Sequence, residues 1–120
     1  MSDNVIHAEF RSPNFEKIRS EFAQDIPSRV AAIKATWSKL EIETWNDQYL
    51  EDVDQIITIA HSLSGTSLTF GFEDIGRRSR LIQELLIACY KNQNINQPIS
   101  FVVDQLIVDI ENSLQDLNNL

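Results

Sequence analysis

Glycine and proline occur only three times each in these 120 residues, and cysteine only once, as Cys89. Sheet proteins need many tight turns, and tight turns draw on Gly and Pro, so the scarcity points to a few long elements. A single cysteine excludes an intrachain disulfide and fits a reducing, cytoplasmic setting. No apolar run reaches the roughly 18–20 residues that a membrane-spanning helix requires. Met1 to Phe10 has neither a basic start nor an apolar stretch, and a signal peptide is not expected there. Positive charge is short as well: 10 Lys and Arg stand against 18 Asp and Glu, a net charge of −8. That disfavours nucleic acid and anionic membrane surfaces as partners, because both are held by clustered Lys and Arg.

What is present is patterned. Apolar residues make up 42 % of the chain and charged residues 23 %, an ordinary globular balance in a chain of one-domain length. Residues 1–12 read as a loose N-terminal arm and 13–120 as one bundle. In the first half Phe15, Ile18, Phe22, Ile26, Val30, Ile33, Trp37 and Leu40 recur every three or four residues and form one helical face. Ser12 can cap that face and Pro13 suits its first turn. Pro27 interrupts the pattern without shifting its phase, so a kink or an extra N-terminal helix is left open. Glu41 to Asn46 is a connector, and Trp37 and Trp45 on either side of it are expected to close that end of the core.

A second stripe runs through Leu50, Val53, Ile56, Ile57, Ala60, Leu63, Ser67 and Leu68 and stops at Gly71. Glu73 and Asp74 put negative charge in the first turn of the next helix, where the helix dipole favours it. That helix carries Ile75, Ser79, Ile82, Leu86 and Cys89. The last, after the polar segment Lys91 to Pro98, carries Ile99, Val103, Leu106, Ile110, Leu114 and Leu117. Helices with one apolar stripe each, joined by short loops, make an all-α, antiparallel (up-down) four-helix bundle.

His7, in the arm, has no chemical neighbours. His61 differs. It follows Ala60 about 100° round the helix, which puts it on the shoulder of the apolar face, partly exposed. Ser64 and Gly65 follow on the same side one turn later. A glycine inside a helix costs roughly 1 kcal/mol relative to alanine. A bare backbone patch beside an exposed imidazole is what the close approach of another protein needs. On the following helix Gln83 lies next to the apolar Ile82, and an antiparallel neighbour would bring its amide to the His61 ring and fix the tautomer. A hydrolase built on His61 with Ser62, Ser64 or Ser67 is disfavoured, since nucleophile and base would share one regular helix. Cys89 sits on an apolar face and reads as a core residue. No metal-ligand cluster and no Gly-rich phosphate loop is visible.

The run from Ala60 to Gly71 resembles the signature of histidine-containing phosphotransfer (Hpt) domains. That signature is a histidine, an aliphatic residue two on, usually Lys three on, Gly four on and a second Gly ten on. His61, Leu63, Gly65 and Gly71 fill four of these five places. Gln83 falls where several members carry a glutamine that hydrogen-bonds the ring, and Asp25-Ile26-Pro27 resembles the family's acidic-x-Pro helix. The resemblance covers roughly residues 15 to 117.

The resemblance implies that His61 is the phosphoacceptor, taking a phosphoryl group from the aspartyl phosphate of a receiver domain and passing it to another. The chain would be a phosphoryl carrier without an ATP site, not an enzyme, and without a cofactor of its own. Mg2+ is expected in the partner receiver domain. The expected partners are a response-regulator receiver domain or a hybrid sensor histidine kinase, bound by a cytoplasmic monomer. The receiver would dock over His61, Ser64, Gly65 and Ser67, with Gly71, Arg77 and Arg78 assisting. One departure matters: Ser64 stands at the usual Lys place, and a serine cannot neutralise phosphoryl charge. Asp54, on the same face, adds negative potential. Arg77, Arg78 and Arg80 are the candidates for compensation. The alternative is a transfer-deficient Hpt-like docking protein that binds a receiver or kinase.

Overall fold

The computed structural model describes residues 13–40 and 45–118. His7, the Ser12 cap and the arm at 1–12 lie outside the described residues. Four helices follow in order: α1 (Pro13–Ser38), α2 (Asp47–Thr69), α3 (Glu73–Asn92) and α4 (Gln97–Asn118). There are no strands among the described residues. α1 runs as one helix through Pro27, so no extra helix forms among them. Pro27 is exposed, so water can take up the carbonyl that loses its amide partner there.

Contacts between helices set the topology. Arg29 Nη1 donates to Ser62 Oγ at 2.8 Å, and Arg19 Nε donates to the Phe70 carbonyl at 2.9 Å. Lower numbers on α1 therefore meet higher numbers on α2, and the pair is antiparallel. Lys34 with Glu111, and Trp37 with Asp104, relate α1 to α4 in the same sense. The seam between α2 and α3 is the most extensive and that between α1 and α4 the least.

The predicted stripes meet along the axis. Ile26, Ile33, Val53, Ile56, Ala60, Leu63, Ile82, Leu86, Cys89, Val103 and Ile110 are each at most 1 % exposed. Burying an aliphatic side chain of this kind contributes about 1.5–3 kcal/mol. Two stripe positions depart. Ile18 is 52 % exposed, because α1 meets the bundle at this end through Phe15, Arg19 and Phe22, all gathered round Phe70 and Phe72, and Ile18 lies to one side. Leu68, 41 % exposed, lies at the edge of the α2–α3 seam, against Gly76. Trp37 and Trp45 are half-buried and pack on the core.

Helix ends are capped by sequence-local chemistry. Asn46 Oδ1 accepts from the Tyr49 amide and Asn96 Oδ1 from the Ile99 amide, each at 3.0 Å, starting α2 and α4. At the end of α2, Gly71 adopts φ +85°. Its amide donates to the Leu68 carbonyl and that of Phe72 to the Ser67 carbonyl, a Schellman closure. This turn sends the chain back as α3, so Gly71 acts here as a helix stop.

Candidate functional site

The second half of α2 and the middle of α3 bring the chemistry together. Ala60 and Leu63 anchor α2 in the core, and His61, about 100° from Ala60, emerges exposed on the flank. Gln83 follows the fully buried Ile82 on α3 and reaches back across the seam. Its Nε2 lies 2.9 Å from His61 Nδ1. The two ends of a carboxamide exchange by rotation about its last bond, so Gln83 can donate to a bare Nδ1 or accept from Nδ1–H through Oε1. In the second arrangement Nε2 keeps its lone pair. Either way one ring nitrogen is committed to the protein and the other is not.

A shallow hollow surrounds the ring, lined by His61, Ser64, Gly65 and Leu68 of α2 and by Arg80, Gln83 and Glu84 of α3. Gly65 is exposed, and a Cβ built on it would meet nothing within 4 Å. Ser64 is 5 % exposed, tucked between His61 and the apolar stripe.

Several expected site residues lie elsewhere. Ser67, expected on the docking surface, is 0 % exposed, because it falls in the middle of the apolar stripe. Arg77 pairs with Asp74 at 2.9 Å and does not line the hollow. Arg78 turns towards α4, where it meets Ser113 and Asp109. Gly71 is at the far turn. Of the three arginines only Arg80 reaches the ring's surroundings. Asp54 is exposed and does not line the hollow. Two participants were missed in the sequence. Glu84 pairs with Arg80, and Gly76 lies so close to α2 that an added Cβ would stand 2.7 Å from Leu68 Cγ. The signal for Gly76 was its spacing, seven residues before Gln83 as Leu68 is seven after His61.

The only cysteine is not a competing nucleophile: burial pushes the Cys89 thiol above its ordinary value. On α1, Arg29, which also donates to Ser62 Oγ, holds the Asp25 carboxyl below its ordinary value through its hydrogen bond. Among the described residues no group of His, Cys, Asp and Glu could hold a metal ion, and no helix is long and apolar enough to cross a membrane.

An exposed histidine held by a glutamine on the flank of a four-helix bundle is the arrangement the sequence resemblance implied. The family model of the Hpt domain matches residues 17–120. The chain belongs to the Hpt domain family. No curated protein and no solved structure matches it. Hpt domains are phosphocarrier modules of phosphorelay signalling that interact with receiver domains and kinases and have no ATP site of their own. Within this Hpt domain α2 carries the histidine, α3 carries the glutamine that meets its ring, and the residue at the usual Lys place on α2 is the uncharged Ser64.

Proposed function

We propose that this Hpt domain is a phosphorelay intermediate, carrying a phosphoryl group on Nε2 of His61 between receiver-domain aspartates. The observation that carries the reading is the pairing of Gln83 with Nδ1 of an exposed His61. With Oε1 of Gln83 accepting from Nδ1–H, the Nε2 lone pair attacks the phosphorus of an aspartyl phosphate. The N–P bond forms as the P–O bond to the aspartate breaks, and the electron pair of that bond leaves with the carboxylate. The ring becomes a phosphoimidazolium whose Nδ1–H still donates to Gln83. Transfer onward is the reverse step with a second aspartate. Mg2+, held by the receiver, would neutralise the phosphoryl oxygens from the far side. The open surface above Gly65 supports close approach of the receiver backbone. The domain would act as a monomer in the cytoplasm, on a response regulator or hybrid kinase.

A second reading, docking without transfer, is favoured by Ser64, which is nearly buried and uncharged. One experiment separates the two: transfer from a labelled phospho-receiver to the purified chain, beside His61→Gln. Acid-labile, base-stable label on the wild type alone supports the carrier. Receiver binding without label supports docking only, and Ser64→Lys is then the variant in which transfer should return.

A further inference from the structure

Ser64 faces the hollow from α2 without charge, so a phosphoryl group on His61 would find no cation on its own helix there. The register of α2 against α3 decides what stands opposite. His61 meets Gln83, and Leu68, seven residues further along α2, packs on Gly76, seven residues back along α3. Two contacts of equal spacing place position 80, three before Gln83, opposite position 64, three after His61. Position 80 is an arginine, and among the residues lining the hollow it is the one cation.

Arg80 is at present occupied. Its Nε lies 3.2 Å from Glu84 Oε1, with the two side chains 65 % and 57 % exposed. An exposed pair one helical turn apart is weak and readily exchanged. A phosphoryl dianion is a better partner, because the guanidinium fork matches its oxygens and the charge is greater. The other arginines do not line the hollow: Arg29 meets Asp25 and Ser62, Arg77 meets Asp74, and Arg78 turns to the α4 side.

We propose that Arg80 is the phosphoryl-binding residue of this domain and Glu84 its competitor, with the guanidinium leaving Glu84 for the phosphoryl oxygens as His61 is loaded. The proposal rests on the reading of His61 as the phosphoacceptor. Charge that develops on the oxygens during transfer would be met by Arg80 from α3, in place of any group on α2.

The test uses the intact chain and phosphoramidate as a small phosphoryl donor, so that receiver docking does not enter. His61 Nε2 takes the phosphoryl group and ammonia leaves. Relative to the wild type, Arg80→Ala should label about tenfold more slowly, Arg80→Lys within about threefold, and Glu84→Gln about threefold faster. Lys91→Ala, the same loss of charge about three turns further along α3, should label at the wild-type rate. The opposite signs are decisive, because a merely structural ion pair would be lost equally from either end. The proposal is overturned if Glu84→Gln labels more slowly than the wild type, or if Arg80→Ala keeps the wild-type rate. A wild type that takes no label absent from His61→Gln, from phosphoramidate or from a receiver, would sink the phosphoacceptor reading and this proposal with it.

Discussion

Gln83 holds Nδ1 of His61 at 2.9 Å from the opposite helix while the ring remains exposed. On the proposed function, its contribution is orientation of the phosphoacceptor rather than stability of the bundle. Gln83→Ala should therefore reduce phosphoryl transfer about tenfold while leaving the melting temperature within about 2 °C, a surface-type change. Nitrogen-15 NMR of His61 reads the cause directly. The wild type should carry its neutral-ring proton on Nδ1, and the variant should be a mixture. A wild-type ring protonated mainly on Nε2 would contradict the role given to Gln83.

If a receiver docks over Gly65 as proposed, substitutions there should separate folding from docking. Nothing lies within 4 Å of a Cβ added there, and the residue is helical. Gly65→Ala should raise unfolding free energy by roughly 0.5–1 kcal/mol through helix propensity alone. Gly65→Leu should fold equally well but weaken receiver binding at least tenfold by standing in the contact. Calorimetric titration with the receiver, beside denaturant melts, checks both, and normal binding by Gly65→Leu would move the docking surface elsewhere.

Among the described residues two helix ends use left-handed backbone, and only one of them has glycine. Gly71 ends α2 at φ +85°, and Gln93 ends α3 at φ 51°, its amide and that of Asn94 closing on the Tyr90 and Cys89 carbonyls. Gly71→Ala should cost about 1–2 kcal/mol, the strain of a Cβ in that region. Gln93→Gly should gain up to about 1 kcal/mol for the same reason with the sign reversed. Urea midpoints for the two variants moving in the same direction would refute the assignment.

Among the described residues two groups titrate away from their ordinary values, one at each extreme of pH. The buried Cys89 thiol titrates higher in the folded chain than in the unfolded one. Its stabilising effect is complete below the ordinary thiol value of 9.0 and is lost as pH rises beyond it. Asp25 titrates lower in the folded chain because of Arg29, so its contribution is present above 3.8 and fades as pH falls through the lowered value. Cys89→Val should flatten the alkaline side of the stability curve and Asp25→Asn the acid side. Melts from pH 3 to 11 check the signs, and an alkaline limb unchanged by Cys89→Val would remove the thiol from the account.

Helical periodicity alone announced most of this protein. Apolar residues at three- and four-residue spacing specify four amphipathic helices, because side-chain direction on a helix follows from local backbone geometry. The same arithmetic placed His61 on the shoulder of its helix. It also put Ser67 in the apolar stripe, and the structure agrees with that rather than with a docking role for the residue. Scarce Gly and Pro pointed to long elements, and the absence of basic clusters argued against nucleic acid.

Periodicity within one helix says nothing about its slide along another. Arg77, Arg78 and Arg80 are near-equivalent in the sequence, yet one pairs on the surface, one turns to α4 and one lines the His61 hollow. The choice among them comes from the α2–α3 register, set by Leu68 packing on Gly76 and by the Schellman turn at Gly71. Local pattern alone specified the helices, their inner faces and the place of His61 on its helix. Tertiary packing decided which side chains meet that histidine, because contact across a seam depends on residues distant in the chain.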